Sequence, residues 1–389
     1  MNSTLRVAAM GSKPRLVLHI GTEKTGTTSI QEFLRLNASQ YLEEGVFVPS
    51  CLGFSNHSLL PVIAYRQDRK DDLSLLYAAD DAAARARLQR ETMAQLQQLA
   101  LQYPQHTFVV SSEHLQSRLT EPDELRCLRD LLQPVFADIR IVVYVRKPID
   151  TVLSSLSTGI KCGLTATRVP PPSDPYIRFL CMHRETVERW AAAFGLVNVK
   201  VRLFNRHSFV GGDLLKDFAS VSGIPFHDGL RIPPRTNEKL GFDGLRFLGF
   251  INEYVPYIAD NRFNPLRDNL VDLFEVYFCD SKEYLPTREE VQHYADYYRD
   301  SDSWIRETFF PDCSDLWPET VCSSEPSLAA DAASASVTES VEQFNPEEVK
   351  KLLRLLAHAW NEKQTRIHDL RKQLQTCQEQ VAALSDQVG

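Results

Sequence analysis

A lysine, two glycines and a run of hydroxyls stand together near the start of the chain, in Gly21-Thr22-Glu23-Lys24-Thr25-Gly26-Thr27-Thr28-Ser29. Residues of these types at this spacing suit the binding of a phosphate-like anion. Lys24 brings a full positive charge, Thr25, Thr27, Thr28 and Ser29 bring hydroxyl donors, and Gly21 and Gly26 let the backbone come close to a ligand. The flanks complete the reading. Residues 16–20 are an apolar run that stops at Gly21, as a buried parallel strand does. From Thr28 onward Ile30, Phe33 and Leu34 fall on one helical face. A helix start behind a glycine-bearing loop aims unpaired N–H groups and the positive end of the helix dipole at an anion. Gly21 and Gly26 have the spacing of the nucleotide triphosphatase loop, Gly-x-x-x-x-Gly-Lys-Ser/Thr. Here Thr27 stands in that lysine's place and Lys24 lies inside the loop. Ordinary ATP chemistry is therefore disfavoured, and a small-molecule kinase is kept as an alternative.

Lys24-Thr25-Gly26-Thr27-Thr28 resembles the 5′-phosphosulfate loop of sulfotransferases that use 3′-phosphoadenosine 5′-phosphosulfate. The longer phrase from His19 to Gln31 is similar to bacterial sulfotransferase-like proteins. A second family element is a strand, an arginine and then a serine about two helical turns on, and residues 139–154 supply it with Arg146 and Ser154. The resemblance spans residues 15–313 in organisation, but only these two patches are specific. It implies an α/β fold of P-loop type, a mostly parallel sheet flanked by helices, and the phosphosulfate as co-substrate. It further implies that Arg146 and Ser154 hold the 3′-phosphate and that Gly21, Thr25, Gly26, Thr27, Thr28 and Ser29 hold the 5′-phosphosulfate. Lys24 would sit beside the bridging oxygen as electrophile or proton donor. No metal is expected, because Lys24 and Arg146 neutralise the growing charge and no aspartate closes the third strand. The expected reaction moves a sulfuryl group to a hydroxyl or amine, of a carbohydrate or glycolipid.

An acceptor hydroxyl needs a base. In related carbohydrate sulfotransferases this is a glutamate or histidine after the first helix or a later strand. His57, in Ser55-Asn-His-Ser58, and Glu113, just beyond the strand at 107–111, both fit; no motif separates them, and His57, whose ring would titrate near neutrality, ranks slightly ahead. A non-catalytic scaffold that keeps the nucleotide fold is a further alternative.

The elements that must position these residues follow in order. Strands are expected at 16–20, 45–49, 107–111, 139–145 and 199–203. Helices are expected from Thr28 and at 59–65, 80–101, 121–132, from Pro148, 178–194, 214–221, 239–254 and 266–277. Strands alternating with helices imply a mostly parallel sheet covered on both faces, with ligands at the carboxyl ends of the strands. Residues 165–175, rich in Pro and Thr, read as a lid or substrate loop. Lys161, Arg168, Arg178, Arg235 and Lys239 are further cations that could meet an anionic ligand.

Composition bounds the rest. A net charge of −8 argues against nucleic acid as a partner while leaving room for a local anion site. Eight cysteines without a C-x-x-C pair fit free thiols in a reducing compartment. Neither a signal peptide nor a membrane span is visible, so a cytoplasmic protein is expected. Residues 14–315 read as the sulfotransferase-like domain, 316–345 as a linker and 346–389 as a helix. In that helix Val349, Leu353, Leu356, Trp360, Ile367, Leu370, Leu374, Cys377, Val381, Leu384 and Val388 keep a/d heptad spacing, with Lys363 the charged exception. Such a run argues for a coiled coil and a homo-oligomer, the alternative being a helix that packs back on the parent domain or is only marginally folded. The acceptor is expected to be a small molecule or glycan.

Overall fold

The computed structural model describes residues 12–166, 168–234, 240–259, 262–267, 269–278, 284–317 and 346–388. The expected disordered lead-in and the linker fall almost wholly outside these residues. Five strands, β1 (Arg15–His19), β2 (Val46–Phe47), β3 (Thr107–Ser111), β4 (Asp138–Val145) and β5 (Val199–Leu203), form one parallel sheet in the order β2-β3-β1-β4-β5. The central strand is β1, with Leu18 opposite Val110 on one side and Ile141 on the other. The chain builds one side of β1 and then crosses to the other, so β1 and β4 flank the point where strand order reverses, the usual ligand crevice of such sheets.

The helices in chain order are α1 (Thr27–Glu43), α2 (Leu59–Val62), α3 (Asp72–Leu76), α4 (Ala82–Gln102), α5 (His114–Arg118), α6 (Pro122–Leu132), α7 (Pro148–Lys161), α8 (Pro175–Cys181), α9 (His183–Phe194), α10 (Leu214–Ser222), α11 (Phe242–Tyr254), α12 (Leu270–Tyr277), α13 (Arg288–Phe309) and α14 (Pro346–Val388). Alternation along β1 explains the layers. Leu16, Leu18 and Ile20 enter an apolar cluster with α4, α6 and α9, while Val17 enters another with α1 and α10. Both sheet faces are thus covered, and the strands read as unbroken apolar runs for that reason.

The chain divides into two compact units, one of residues 1–152, 170–234 and 289–320, the other of 153–169, 235–288 and 321–389. The first holds the sheet. In the second, Leu156 and Ile160 of α7 share an apolar cluster with Phe247 and Leu248 of α11, Leu273 and Phe274 of α12 and Leu355 of α14.

Most expected elements are present within a few residues. The helix expected at 178–194 is instead two. Asp174 caps α8 through the amides of Tyr176 and Ile177, Pro175 opens it, and Met182 leaves helical geometry (φ −78°, ψ 74°) before α9. Helix α13 and the short hairpin of β6 (Ile258–Ala259) and β7 (Arg262–Phe263) were not anticipated.

Candidate anion site at the ends of β1 and β4

The loop after β1 is held by backbone before any side chain acts. Ile20 and Thr22 donate their amides to the carbonyls of Val142 and Tyr144 (2.9 and 3.0 Å), and Tyr144 donates back to Gly21 (2.7 Å). The Thr25 hydroxyl donates to the Thr22 carbonyl (2.6 Å) and the Thr22 hydroxyl to that of Tyr144 (3.2 Å). The loop is thereby closed on itself and moored to β4. Gly26 is the N-cap of α1 in left-handed geometry, and no side chain caps that end. The first-turn amides of α1 are therefore left for water or an anion. A Cβ on Gly26 would lie 2.4 Å from Leu214 Cδ2 and 3.1 Å from the Phe204 ring, and φ is +75°, so only glycine fits. Lys24 itself has φ +64°, a left-handed conformation that a lysine holds only when its surroundings over-determine it. Thr27 is buried, Thr28 exposed and Ser29 half-buried.

Arg146 leaves the carboxyl end of β4, the strand next to β1, and returns to this loop. Its Nη1 donates to the Lys24 carbonyl at 2.8 Å, and the guanidinium lies 5.4 Å from the Phe204 ring centroid. Burial lowers its pKa, with the Asp150 charge acting the other way. From so high a starting value it stays a cation, half-buried and facing a carbonyl and a ring. A cation so placed is well matched to an anionic ligand. Its own carbonyl accepts from His183 Nε2 (2.8 Å). Burial pushes His183 down to about 4, so α9 holds the backbone of Arg146 through a neutral imidazole. Ser154 lies on α7, half-buried, in the stretch belonging to the second unit.

A third strand end faces the loop. The Glu113 carboxylate accepts from Gln31 Nε2 of α1 (2.6 Å), and Gln31 also reaches the Ser111 carbonyl (3.4 Å). A Cβ on Gly21 would stand 3.2 Å from both Cα and Cβ of Glu113, which explains the glycine there as a matter of close approach. His57 reaches the same strand end but is used differently. Its Nδ1 sits against the Ser111 peptide, 3.1 Å from the carbonyl oxygen and 3.2 Å from the nitrogen, and burial lowers its pKa to about 4. His19 is buried too, bonded through Nδ1 to the Ser111 hydroxyl (2.8 Å) and pushed down by burial to about 3.

Lys24, the loop hydroxyls, Arg146, Glu113 and His57 all belong to the first unit, and three of its strand ends gather them. Other anticipated cations are engaged elsewhere: Lys161 pairs with Glu275 inside the second unit, and Arg178 with Glu185. Arg235 and Lys239 lie outside the described residues. Sequence reading missed Gln31, Phe204 and His183. Only Gln31 carried a signal, since it closes the loop phrase one turn into α1. The reading also missed a buried brace in which Asp217 accepts from Tyr144 Oη (2.7 Å), Arg202 Nε (3.0 Å) and the Val210 amide (3.1 Å). Tyr144 lies two residues before Arg146 on β4, so this brace fixes the strand that presents the guanidinium.

The anticipated loop at 165–175 ends at α8, where Tyr176 Oη donates to Glu23 at 2.6 Å. A cavity of about 300 Å³ opens beside the start of α7, lined by Lys147, Pro148, Tyr294, Asp302, Leu316 and Trp317 among others. In its wall Asp302 accepts from Trp317 Nε1 (2.7 Å), and burial raises its pKa to about 7. Among the described residues no helix is long and apolar enough to cross a membrane, and no cluster of His, Cys, Asp and Glu is arranged to hold a metal.

The fold and site together define a five-stranded parallel α/β protein with a candidate anion site at its strand-order reversal. No family model matches the chain, and no curated protein does. Solved structures similar to it include a sulfotransferase from Alicyclobacillus acidocaldarius, at 17% identity over 62% of this chain and 94% of that one, with a TM-score of 0.33. The sulfotransferase domain from the curacin biosynthetic pathway is 13% identical over 74% of this chain and 98% of its own (TM-score 0.36). A structure from the PezAT chromosomal toxin–antitoxin system of Streptococcus pneumoniae is 11% identical over 68% and 86% (TM-score 0.29). Likenesses this loose leave the functional reading to the residues themselves.

Proposed function

We propose that the protein is a sulfotransferase that moves the sulfuryl group of 3′-phosphoadenosine 5′-phosphosulfate to a hydroxyl or amine, on a carbohydrate or glycolipid acceptor. The observation that carries this reading is the 2.8 Å bond from Arg146 to the Lys24 carbonyl, which joins a cation from β4 to the lysine-bearing loop of β1. Two cations and a row of helix-start amides around one crevice match a nucleotide with phosphates at both ends of its ribose.

In the proposed step the acceptor oxygen or nitrogen attacks sulfur in line. The bond from sulfur to the 5′-phosphate oxygen breaks, and adenosine 3′,5′-bisphosphate leaves. Lys24 stabilises the charge growing on that oxygen, and Arg146 holds the 3′-phosphate through its planar fork. The α1 amides with Gly26, Thr27, Thr28 and Ser29 hold the 5′ end. Thr25 acts indirectly, since its proton is committed to the Thr22 carbonyl. We assign the base to Glu113 rather than His57. Glu113 is half-buried at the β3 corner and offers a carboxylate oriented by Gln31, whereas His57 is buried and clamped to the Ser111 peptide.

Calorimetry tests the reading. Adenosine 3′,5′-bisphosphate should bind without metal, and Arg146→Ala should weaken it at least tenfold, a charged hydrogen bond being worth about 1.5–3 kcal/mol. Tighter binding of ATP with magnesium, indifferent to Arg146→Ala, would make the protein a kinase instead. Bisphosphate binding with no sulfuryl transfer to any acceptor would leave it a nucleotide-binding scaffold.

A further inference from the structure

An acid stands inside the loop proposed to hold an anion. Glu23 lies between Gly21 and Lys24 in the turn after β1, half-buried. Its Oε2 accepts from Tyr176 Oη of α8 at 2.6 Å, and its carbonyl accepts from the Thr22 hydroxyl at 3.3 Å. The phenol that holds the carboxylate is itself firmly presented. Asp174 Oδ1 accepts from the amides of Tyr176 and Ile177 (3.0 and 3.1 Å), and Pro175 opens the helix with its φ already fixed. The chain just before α8 is tied to α13. Tyr294 Oη donates to the Pro170 carbonyl (2.6 Å) and Tyr298 Oη to that of Pro172 (2.8 Å), both tyrosines being buried. Every group in this chain of contacts belongs to the first unit.

A carboxylate in such a loop works against anion binding, and it does so in proportion to the charge on the ligand. A loop selected for affinity alone would be better served by a neutral residue at 23. What a fixed acid adds is discrimination. A terminal sulfuryl and a terminal phosphoryl group are both tetrahedral clusters of acceptor oxygens, so amides and hydroxyls scarcely tell them apart. Charge does: the sulfuryl group carries one negative charge, whereas a terminal phosphoryl group carries close to two at neutral pH. A carboxylate held in place penalises the second charge by repulsion, without making any contact of its own.

We infer that Glu23 is a specificity-determining residue, fixed by Tyr176, that lets the loop accept a nucleotide ending in sulfate and disfavours one ending in phosphate. The inference rests on the sulfotransferase reading and deepens it, by naming a group in the same site that selects the donor. Tyr176 acts through Glu23 and is a positioning residue: without its hydroxyl the carboxylate loses its tether to α8, and the repulsion is no longer aimed.

Two nucleotides that differ only at the 5′ terminus test this, 3′-phosphoadenosine 5′-phosphosulfate and 3′-phosphoadenosine 5′-diphosphate. Calorimetry uses the full chain without acceptor, near neutral pH and at low ionic strength, with the fold of each variant checked by its melting curve. The wild type should bind the phosphosulfate about tenfold more tightly than the diphosphate. Glu23→Gln keeps an acceptor for Tyr176 and should reduce that ratio about fivefold, chiefly by tightening the diphosphate. Tyr176→Phe should reduce it about threefold, and adding Tyr176→Phe to Glu23→Gln should reduce it no further. A purely structural tyrosine would instead weaken both nucleotides alike and leave the ratio where it was. Equal binding of the two nucleotides by the wild type would overturn the inference. So would a ratio that Glu23→Gln leaves unmoved, and either result leaves the nucleotide site standing. Binding of neither nucleotide by the wild type would remove the sulfotransferase reading, and this inference with it.

Discussion

The loop after β1 and the corner after β3 end neighbouring strands and lie within one hydrogen bond of α1, yet they are made of opposite materials. The β1 loop presents amides, hydroxyls and Lys24, with Arg146 behind it, and every one of these can stabilise negative charge. The β3 corner presents Glu113, and behind it Ser111 is bonded by two buried imidazoles that burial keeps neutral, His57 and, from the end of β1, His19. On the proposed reading one side would receive an anion and the other a proton, the two things a transfer reaction needs, with the leaving oxygen on the first side and the acceptor on the second. Sharing α1 sets their separation, because Gly26 caps the helix and Gln31 orients the carboxylate one turn further along.

The largest expected effect removes the charge on the loop side. Lys24→Ala should lower kcat/KM for release of adenosine 3′,5′-bisphosphate by about 10³, the cost of one preorganised donor to a developing oxyanion. Affinity for the bisphosphate should fall far less, since the charge matters most at the transition state. An equal fall in affinity and rate would move Lys24 among the ground-state contacts and blur the contrast between the two corners.

Removing the base should cost next most. Glu113→Gln keeps the shape and the Gln31 neighbour but takes no proton, so kcat should fall about 10²-fold, the low end for general base catalysis. His57→Gln should change kcat less than tenfold. The reverse ranking would hand the proton to His57 and make its bond to the Ser111 peptide a resting arrangement.

His57 should instead reveal itself through stability. Its folded pKa is lowered to about 4 from about 6.5, so the folded state binds fewer protons than the unfolded chain. Its contribution is whole above pH 6.5 and is lost as pH falls towards 4. His19 and His183 act in the same sense. Asp302, raised to about 7, acts oppositely over nearly the same window, but it is one group against three. Stability should therefore rise with pH between about 4 and 6.5. Comparing denaturation curves of wild type and His57→Gln at pH 7 and pH 5 should show His57's share as about 2 kcal/mol. Parallel curves would mean that the ring is already charged in the fold.

Much of this arrangement was legible in the chain because local pattern and tertiary role agree there. The apolar run at 16–20, the glycines at 21 and 26 and the arginine closing a strand at 146 each announce a strand–loop–helix corner by their own neighbours. Parallel strands buried on both faces leave a continuous apolar signal, so the sheet was readable as well. What stayed hidden depends on partners far along the chain. Nothing near His57 tells that its ring will meet the peptide of residue 111, nor near His183 that it will hold the carbonyl of Arg146. Asp217, buried under β4, looked like one more helical acid. The heptads of α14 were visible, but its partial docking was not, because a repeat gives the spacing of a stripe and not which of two adjacent stripes the fold consumes.

The smallest effect separates backbone from side chain within the loop. Thr28 is exposed at the start of α1 and Thr25 is buried with its hydroxyl bonded inward. If the amides and Lys24 do most of the holding, Thr28→Ala removes one hydrogen bond of about 1 kcal/mol and weakens adenosine 3′,5′-bisphosphate about fivefold by calorimetry. Thr25→Val removes no ligand contact but unties the loop from the Thr22 carbonyl. It should therefore match or exceed Thr28→Ala in affinity loss while also lowering the melting temperature. A silent Thr25→Val beside a large loss at Thr28 would mean that side chains, and not the moored backbone, form the cradle.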